Sequence, residues 1–127
     1  MQLASAQLEA FDRDGFLVFP ELFTQEEIDI LLSETERVSQ IEADGIFREG
    51  DDQQVKSLFR VHEKDGVTAS PAFHQLARSP RCLGIAQQVL ADDALYLHHS
   101  KVNMKAAIQG STWPWHQDFM SWKLDGI

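Results

Sequence analysis

The sequence predicts an α+β fold in which helices come first and strands follow. Apolar residues recur at helical spacing through the first part of the chain, and from Ala94 onward apolar and polar residues alternate with a period of two. The 127 residues are 43% hydrophobic, enough for a buried core, so we expect a single domain over 1–127. The chain ends at Ile127, directly after an aromatic-rich motif. We therefore expect that more protein follows and that the sheet is only begun here.

Four segments are predicted as helices from their apolar spacing and from residues that cap helix ends. They are Ser5 to Asp14, Thr24 to Ser39, Pro71 to Arg78, and Pro80 to about Ala91, with Ser5 and Ser79 as expected N-caps and Gly15 as an expected stop. The second is the clearest, because Thr24 and Glu27 form a capping box in which each side chain accepts the other's backbone N–H. Its predicted core face consists of Ile28, Leu31, Leu32, Thr35 and Val38.

Four segments are predicted as strands because they are short and either apolar or alternating. They are Phe16 to Phe19, Val55 to His62, Leu95 to Met104 and Trp113 to Phe119. In the third, His99, Lys101 and Asn103 share one face, which is either solvated or in contact with a polar ligand, whereas His98 points the other way. The stretch from Glu42 to Gln54 is rich in Asp, Glu, Gly and Gln, so we predict a mobile loop or lid.

The net charge of −9 argues against nucleic acid or an anionic membrane as a partner. Phosphate binding needs clustered Lys and Arg, and the sequence has no basic run. No apolar stretch approaches the roughly 20 residues of a membrane span, and no secretory signal is visible. A single cysteine, Cys82, excludes an intrachain disulfide and fits a reducing cytoplasm, where we expect the protein to be.

His116 and Asp118 are the predicted metal ligands. On a strand, residues at i and i+2 project from the same face, so an imidazole nitrogen and a carboxylate oxygen can meet one divalent ion. This is the sequence-local part of the 2-His-1-carboxylate triad of non-haem iron(II) oxygenases, which leaves coordination positions open for oxygen and a co-substrate. A plain ion pair is the alternative, but the surrounding aromatic residues would bury the carboxylate, which then needs a partner such as a metal. A structural zinc site is disfavoured, since it prefers several Cys and His ligands and the chain has one Cys.

The segment His116 to Trp122, followed by Asp125-Gly126, resembles the WHxDFxxW…DG signature of the phytanoyl-CoA dioxygenase superfamily, and within it the ectoine hydroxylases. Upstream, Ser57 to His62 is similar to a Ser-x-Phe-x-x-His stretch of those enzymes. The segment His99 to Asn103 lies where they carry Gln-Ser-Arg-Ile-Asn. The opening Phe11 to Phe19 and the helix from Thr24 are similar as well, so the resemblance covers most of the chain.

The resemblance implies a double-stranded β-helix, of jelly-roll or cupin-like type, with supporting helices and incomplete in this chain. It implies an enzyme that uses iron(II), 2-oxoglutarate and O2 to hydroxylate a small polar, amino-acid-like metabolite, with release of succinate and CO2. His116 and Asp118 would bind the iron, and Asp118 favours hydroxylation over halogenation because the resembling halogenases lack this carboxylate. By position, the residues on the co-substrate side are Asn103, His99, Lys101 and Phe59, and those on the substrate side are Trp122 and Phe119.

No His or Arg follows Asp118, although the resembling enzymes place a second metal-binding His and a 2-oxoglutarate-binding Arg downstream. The other histidines, His62, His74, His98 and His99, all precede the motif, so recruiting one of them would break the family's order. We expect His62 and His74 to be surface or polar-core residues. The alternative function is a truncated or non-catalytic β-helix module that binds a ligand or partner without turnover.

Overall fold

The described part of the chain forms four helices and a three-stranded antiparallel sheet. The computed structural model describes residues 1–51, 53–105, 110 and 112–118. In chain order the elements are α1 (Ser5–Asp14), α2 (Gln25–Ser39), β1 (Ile46–Glu49), β2 (Gln54–Phe59), α3 (Pro71–Arg78), α4 (Pro80–Leu90) and β3 (Lys101–Asn103). The predicted combination of helices and strands is therefore confirmed. No helix within these ranges has the length and apolar composition needed to cross a bilayer.

All four predicted helices are confirmed, and side-chain caps begin three of them, α2, α3 and α4. The capping box at α2 is formed as predicted: Thr24 accepts the backbone N–H of Glu27 at 3.3 Å, and Glu27 accepts that of Thr24 at 2.9 Å. At α4, Ser79 accepts the backbone N–H of Cys82 at 3.3 Å, and Pro80 occupies the first turn. Because each of these bonds spans three residues, the boundaries follow from local sequence.

The first turn of α1 differs from the prediction by one residue. Its N-cap is Ala4 rather than Ser5, and the Ala4 backbone N–H donates to the side chain of Gln7 at 3.0 Å. The Gln7 side chain, which belongs to the first turn, thus satisfies a backbone N–H at the N-terminal end of α1. The helix stops at Asp14 as predicted, because Gly15 adopts a left-handed conformation with φ of 80°.

The sheet has the order β1-β2-β3, and one of its faces forms the core. Leu58 of the central strand pairs with Ile46 of β1 and with Val102 of β3. Leu58 and Ile46 join Val38 of α2 and Val61 in one buried cluster, in which Leu58 and Val38 are fully buried. The residues that alternate with Leu58 along β2 lie on the other face, which carries the candidate site.

A β-bulge interrupts β2 at Lys56. Phe47 pairs with Ser57, but the next residue of β1, Arg48, pairs with Val55, so Lys56 is the extra residue. The bulge breaks the alternation along the strand. As a result, Val55 packs against the core cluster although it is three residues from Leu58.

The predicted core face of α2 is only partly buried. Val38 is fully buried, whereas Leu32 is 61% exposed. Elements α3 and β2 pack against α2, and Arg81 of α4 pairs with Glu27, yet Leu32 remains exposed. Helical spacing identifies the amphipathic side of this helix, but the width of the covered stripe depends on which elements pack there.

The predicted strand from Phe16 to Phe19 is wrong: this segment forms no regular element, and Phe16 and Val18 are exposed. The predicted strand from Leu95 to Met104 is confirmed only for Lys101–Asn103, which pairs with β2. A strand requires a hydrogen-bonded partner, and within the described part of the chain these segments have one over only three residues. Composition alone therefore overestimated the extent of the sheet.

The loop or lid predicted from Glu42 to Gln54 is also wrong in part, because β1 lies within it and forms a hairpin with β2. Only Ile46 of β1 is buried, so the strand presents one core residue beside exposed and half-buried neighbours, and its surroundings have the composition of a loop. The predicted strand from Val55 to His62 is confirmed over Gln54–Phe59. It ends at Arg60, whose left-handed φ of 64° turns the chain out of the sheet.

Candidate metal centre

The side chains of His116 and Asp118 are in contact. His116 Nε2 lies 3.0 Å from Asp118 Oδ1, and the two side chains are 51% and 58% exposed. Residues 112–118 form no strand, so the predicted strand from Trp113 to Phe119 is wrong over its described part. The two side chains nevertheless meet.

The hydrogen bond of His116 Nδ1 determines whether the other ring nitrogen, Nε2, has a lone pair for a cation. Nδ1 lies 2.8 Å from the backbone oxygen of Pro114, and since a carbonyl oxygen can only accept, Nδ1 carries the proton. In the neutral ring, Nε2 then has a free lone pair that faces a carboxylate oxygen. Two acceptors 3.0 Å apart repel each other, so a cation belongs between them.

Both a proton and a divalent metal ion meet that requirement. A proton on Nε2 gives an exposed ion pair, the alternative left open by the sequence, whereas a metal ion makes Nε2 and Oδ1 two of its ligands. The donor types fit iron(II), which takes imidazole nitrogen together with carboxylate oxygen. The bond to Pro114 also fits, because metal-binding histidines commonly donate the other ring N–H to a backbone carbonyl.

The outer face of the sheet brings together four residues predicted on the co-substrate side. Phe59 and Lys101 pair across β2 and β3, and the Lys101 ammonium lies 5.6 Å from the centroid of the Phe59 ring. His99 stacks on Phe59 with ring centroids 6.5 Å apart and planes inclined by 17°. Asn103 accepts a hydrogen bond from Ser57 Oγ at 3.1 Å. The result is a surface of aromatic, cationic and amide groups opposite the apolar core.

Trp113 connects this sheet face to the segment that carries His116. Its ring centroid lies 4.9 Å from the Lys101 ammonium and 4.8 Å from the Lys56 ammonium, and the Trp side chain remains 39% exposed. Lys56 is also ion-paired with Glu49 at 3.1 Å. The sequence interpretation missed Lys56, although a signal was present: strict alternation from Leu58 would have put its ammonium on the core face.

The remaining histidines are held by hydrogen bonds or ring contacts. His62 Nδ1 lies 2.7 Å from Ser100 Oγ, and His74 Nδ1 lies 2.8 Å from the His62 carbonyl oxygen, so both are half-buried polar residues as expected. Burial lowers the pKa of His62. The His98 ring lies edge-on to that of His99, 5.7 Å away.

A complete metal triad is not formed by the residues that the structure describes. Within them, no group of three or more His, Cys, Asp or Glu side chains is placed to hold a metal ion. The predicted substrate-side residues Phe119 and Trp122 lie outside the described residues. The site therefore consists of a two-residue ligand pair beside an aromatic and cationic sheet face.

Comparison with known proteins points to one family. The model of the phytanoyl-CoA dioxygenase family (PhyH) matches residues 11–126. The ectoine dioxygenase of Bordetella bronchiseptica is 34% identical over 97% of this chain and 39% of its own length. The L-proline trans-4-hydroxylase of Streptomyces griseoviridis is 33% identical over 96% of this chain and 44% of its own length.

Solved structures show the same fold. A crystal structure of EctD from S. alaskensis with 2-oxoglutarate and 5-hydroxyectoine superimposes with a TM-score of 0.82 at 30% identity, over 94% of this chain and 42% of that chain. A structure of the same protein with bound Fe gives a TM-score of 0.81. The chain thus spans about two fifths of the length of the relatives it matches. Since the family model covers almost the whole sequence, the chain belongs to the phytanoyl-CoA dioxygenase (PhyH) family.

Proposed function

We propose that the protein is an iron(II)- and 2-oxoglutarate-dependent dioxygenase that hydroxylates a small polar, amino-acid-like metabolite with O2. The observation that carries the proposal is the contact between His116 Nε2 and Asp118 Oδ1, which lie 3.0 Å apart and can share one cation. Family membership supports it, because these residues lie within the matched range. In this proposal the described sheet is part of a double-stranded β-helix of about eight strands.

Iron(II) would be held by His116 and Asp118, which supply one neutral and one anionic ligand. The hydrogen bond from His116 Nδ1 to the Pro114 carbonyl fixes the ring orientation and keeps the Nε2 lone pair available. When bound, iron and 2-oxoglutarate together supply the oxidising chemistry, with succinate and CO2 as by-products. Asp118 would fill a coordination position that a halide would otherwise take, which favours hydroxylation.

The co-substrate would lie on the outer face of the sheet. Lys101 offers an ammonium group to a carboxylate of 2-oxoglutarate, and Asn103 offers an amide N–H because its carbonyl oxygen already accepts from Ser57. Phe59 and His99 stack to form an apolar wall beside these groups. Such a wall excludes water and strengthens the interaction between the ammonium and the carboxylate.

The substrate class follows from the relatives and from the chemistry of the site. Ectoine dioxygenase and L-proline trans-4-hydroxylase are named for a small polar compound and an amino acid, and EctD was solved with 5-hydroxyectoine. We place Trp122 and Phe119 on the substrate side. The reducing cytoplasm is the proposed location, consistent with a single free cysteine, Cys82.

A binding module without turnover is the second candidate function. It is favoured by the absence of a third metal ligand among the described residues. The two candidates make different predictions for the natural reading frame beyond the codon for Ile127. A further His and Arg encoded there support the enzyme, whereas an immediate stop codon supports the module.

The test of the proposed activity is iron-dependent release of succinate from 2-oxoglutarate, screened over amino-acid-like metabolites with the protein expressed from its natural reading frame. We expect His116→Ala to abolish coupled release, because the iron loses a ligand. Asp118→Gly should also abolish hydroxylation and could admit chloride to the vacated position. Asp12→Asn, an exposed carboxylate in α1, is the control and should leave turnover unchanged. Full coupled turnover in His116→Ala would refute the ligand assignment.

A further inference from the structure

The Trp113 ring lies within cation–π distance of two ammonium groups that come from different strands. Lys56 of β2 and Lys101 of β3 place their Nζ atoms 4.8 Å and 4.9 Å from the centroid of this ring. Both distances are within the range of cation–π attraction, which is strongest for Trp. We call this arrangement of Lys56, Trp113 and Lys101 the Trp113 clamp.

The β-bulge makes the Trp113 clamp possible. In a regular strand, Lys56 would share the face of Leu58, which is fully buried in the core. As the extra residue of the bulge, Lys56 is redirected, and bulges commonly re-aim a side chain beside a functional site. Glu49 of the neighbouring strand pairs with the Lys56 ammonium at 3.1 Å and helps to fix its position.

The clamp is linked to His116 through a short and stiff stretch of backbone. Trp113 directly precedes Pro114, so the Trp backbone is confined to extended conformations, and the Pro ring fixes its own φ. The Pro114 carbonyl oxygen lies 2.8 Å from His116 Nδ1. Holding the Trp113 ring therefore holds the acceptor that selects the tautomer and orientation of the His116 ring.

We propose that Lys56 is a positioning residue, which acts through the Trp113 clamp to hold the Pro114 carbonyl and thereby to aim His116 Nε2 at the metal ion. The role rests on the proposed function, because it concerns the affinity of that site for iron(II). Lys56 touches neither the ion nor His116 in this role. Its contribution passes through the Trp113 ring.

The sign of the effect separates positioning from simple electrostatics. A cationic side chain near a metal site repels the ion, so removing its charge would tighten iron(II) binding if charge alone mattered. Positioning predicts the opposite result, because the His116 ring becomes less well oriented when the clamp is opened. A fall in affinity after loss of a positive charge therefore identifies the positioning role.

The experiment measures the binding of iron(II) alone, under anaerobic conditions, to the protein expressed from its natural reading frame. We expect Lys56→Met to weaken binding about threefold to tenfold, the range of one cation–π contact, and Lys56→Arg to restore it. Lys64→Met is the matched control, since Lys64 is an exposed lysine outside the clamp, and it should leave affinity unchanged. Glu49→Gln is a second variant. It should also weaken iron(II) binding, but by less than Lys56→Met does.

A second substitution tests whether the effect passes through the ring. In a Trp113→Leu background the clamp is absent, so Lys56→Met should cause no further loss of iron(II) affinity. The contribution of Trp113 to the near-ultraviolet circular dichroism spectrum is the part that Trp113→Phe removes. We expect Lys56→Met to reduce that same contribution. An equal loss in both backgrounds would overturn the proposal.

Failure of the inference can be distinguished from failure of the proposed function. If the wild-type protein does not bind iron(II), the proposed function is refuted, and the inference with it. If the wild-type protein binds iron(II) and Lys56→Met leaves the affinity unchanged or raises it, only the positioning role of Lys56 is refuted.

Discussion

The helical region, residues 5–39 and 71–90, and the site region, the described residues from 94 to 118, are stabilised by different kinds of contact. In the helical region, caps such as those of Thr24 and Ser79 connect residues three positions apart. In the site region, the only strand is β3, and it depends on pairing with β2. The side chains of His116 and Asp118 in this region are more than half exposed. Most buried apolar contacts therefore lie in the sheet core, with Val38 contributed by the helical region, whereas the proposed metal ligands lie in the site region.

The largest effect on the free energy of unfolding is expected at Leu58, whose packing joins the two regions. Leu58 is fully buried and packs with residues of β1, β3 and α2, so Leu58→Ala leaves a cavity and should lower the free energy of unfolding by about 2–5 kcal/mol. Denaturant unfolding measures this. The control, Leu32→Ala, removes an exposed leucine and should change stability by no more than about 0.5 kcal/mol. Equal losses of unfolding free energy in the two variants would show that the sheet core does not dominate the stability of the protein.

An intermediate effect is expected at Ser70, the N-cap of α3, which adjoins the helical region. Its buried hydroxyl accepts the N–H of Phe73 at the start of α3 and donates to Glu34 at 2.5 Å. Ser70→Ala removes both bonds and should cost about 1–2 kcal/mol. Ser33→Ala, on an exposed position of α2, is the matched control.

Ser70 also affects the response to acid. Hydrogen bonds from Arg37 and then from Ser70 lower the pKa of Glu34 from 4.5 to about 2. Because the folded-state pKa is depressed, the contribution of Glu34 to stability is present above pH 4.5 and is lost as the pH falls toward 2. We expect the loss of stability across this window to be smaller in Ser70→Ala than in the wild type. An unchanged pH profile would mean that the Ser70 hydroxyl does not stabilise the Glu34 carboxylate.

The smallest effect on stability is expected at the metal centre. Asp118 is 58% exposed, and surface ion pairs contribute little, so Asp118→Asn should change the free energy of unfolding by no more than about 0.5 kcal/mol. The same variant should lose iron(II) binding, since an amide oxygen is a poorer ligand than a carboxylate. A large destabilisation would show that Asp118 mainly stabilises the fold and does not act mainly as a metal ligand.

The difference between the regions explains what the sequence could predict. All four helices were predictable, because Thr24, Ser79 and Gly15 mark boundaries through bonds to residues close in sequence. The strands were predictable only in part: β2 and the three residues of β3 lie in predicted strands, but β1 looked like a loop and Phe16 to Phe19 looked like a strand. Strand formation depends on partners distant in sequence, which composition does not reveal.

The candidate site was predictable only in part. The two-residue spacing of His116 and Asp118 indicated that their side chains meet, and they do, although residues 112–118 form no strand. The roles of the bulge at Lys56 and of the Pro114 carbonyl were not predictable. Both depend on register and on backbone geometry, which are fixed only when the sheet has formed.

The central claim is that His116 and Asp118 bind one metal ion through Nε2 and a carboxylate oxygen. The most direct test is the imidazole ¹⁵N NMR spectrum of the protein expressed from its natural reading frame, titrated with zinc(II) as a diamagnetic substitute for iron(II). We predict that His116 Nε2 shifts to a metal-bound position while Nδ1 keeps its proton, and that Asp118→Asn weakens this shift. Zinc(II) binding that leaves both His116 nitrogens unchanged would contradict the account.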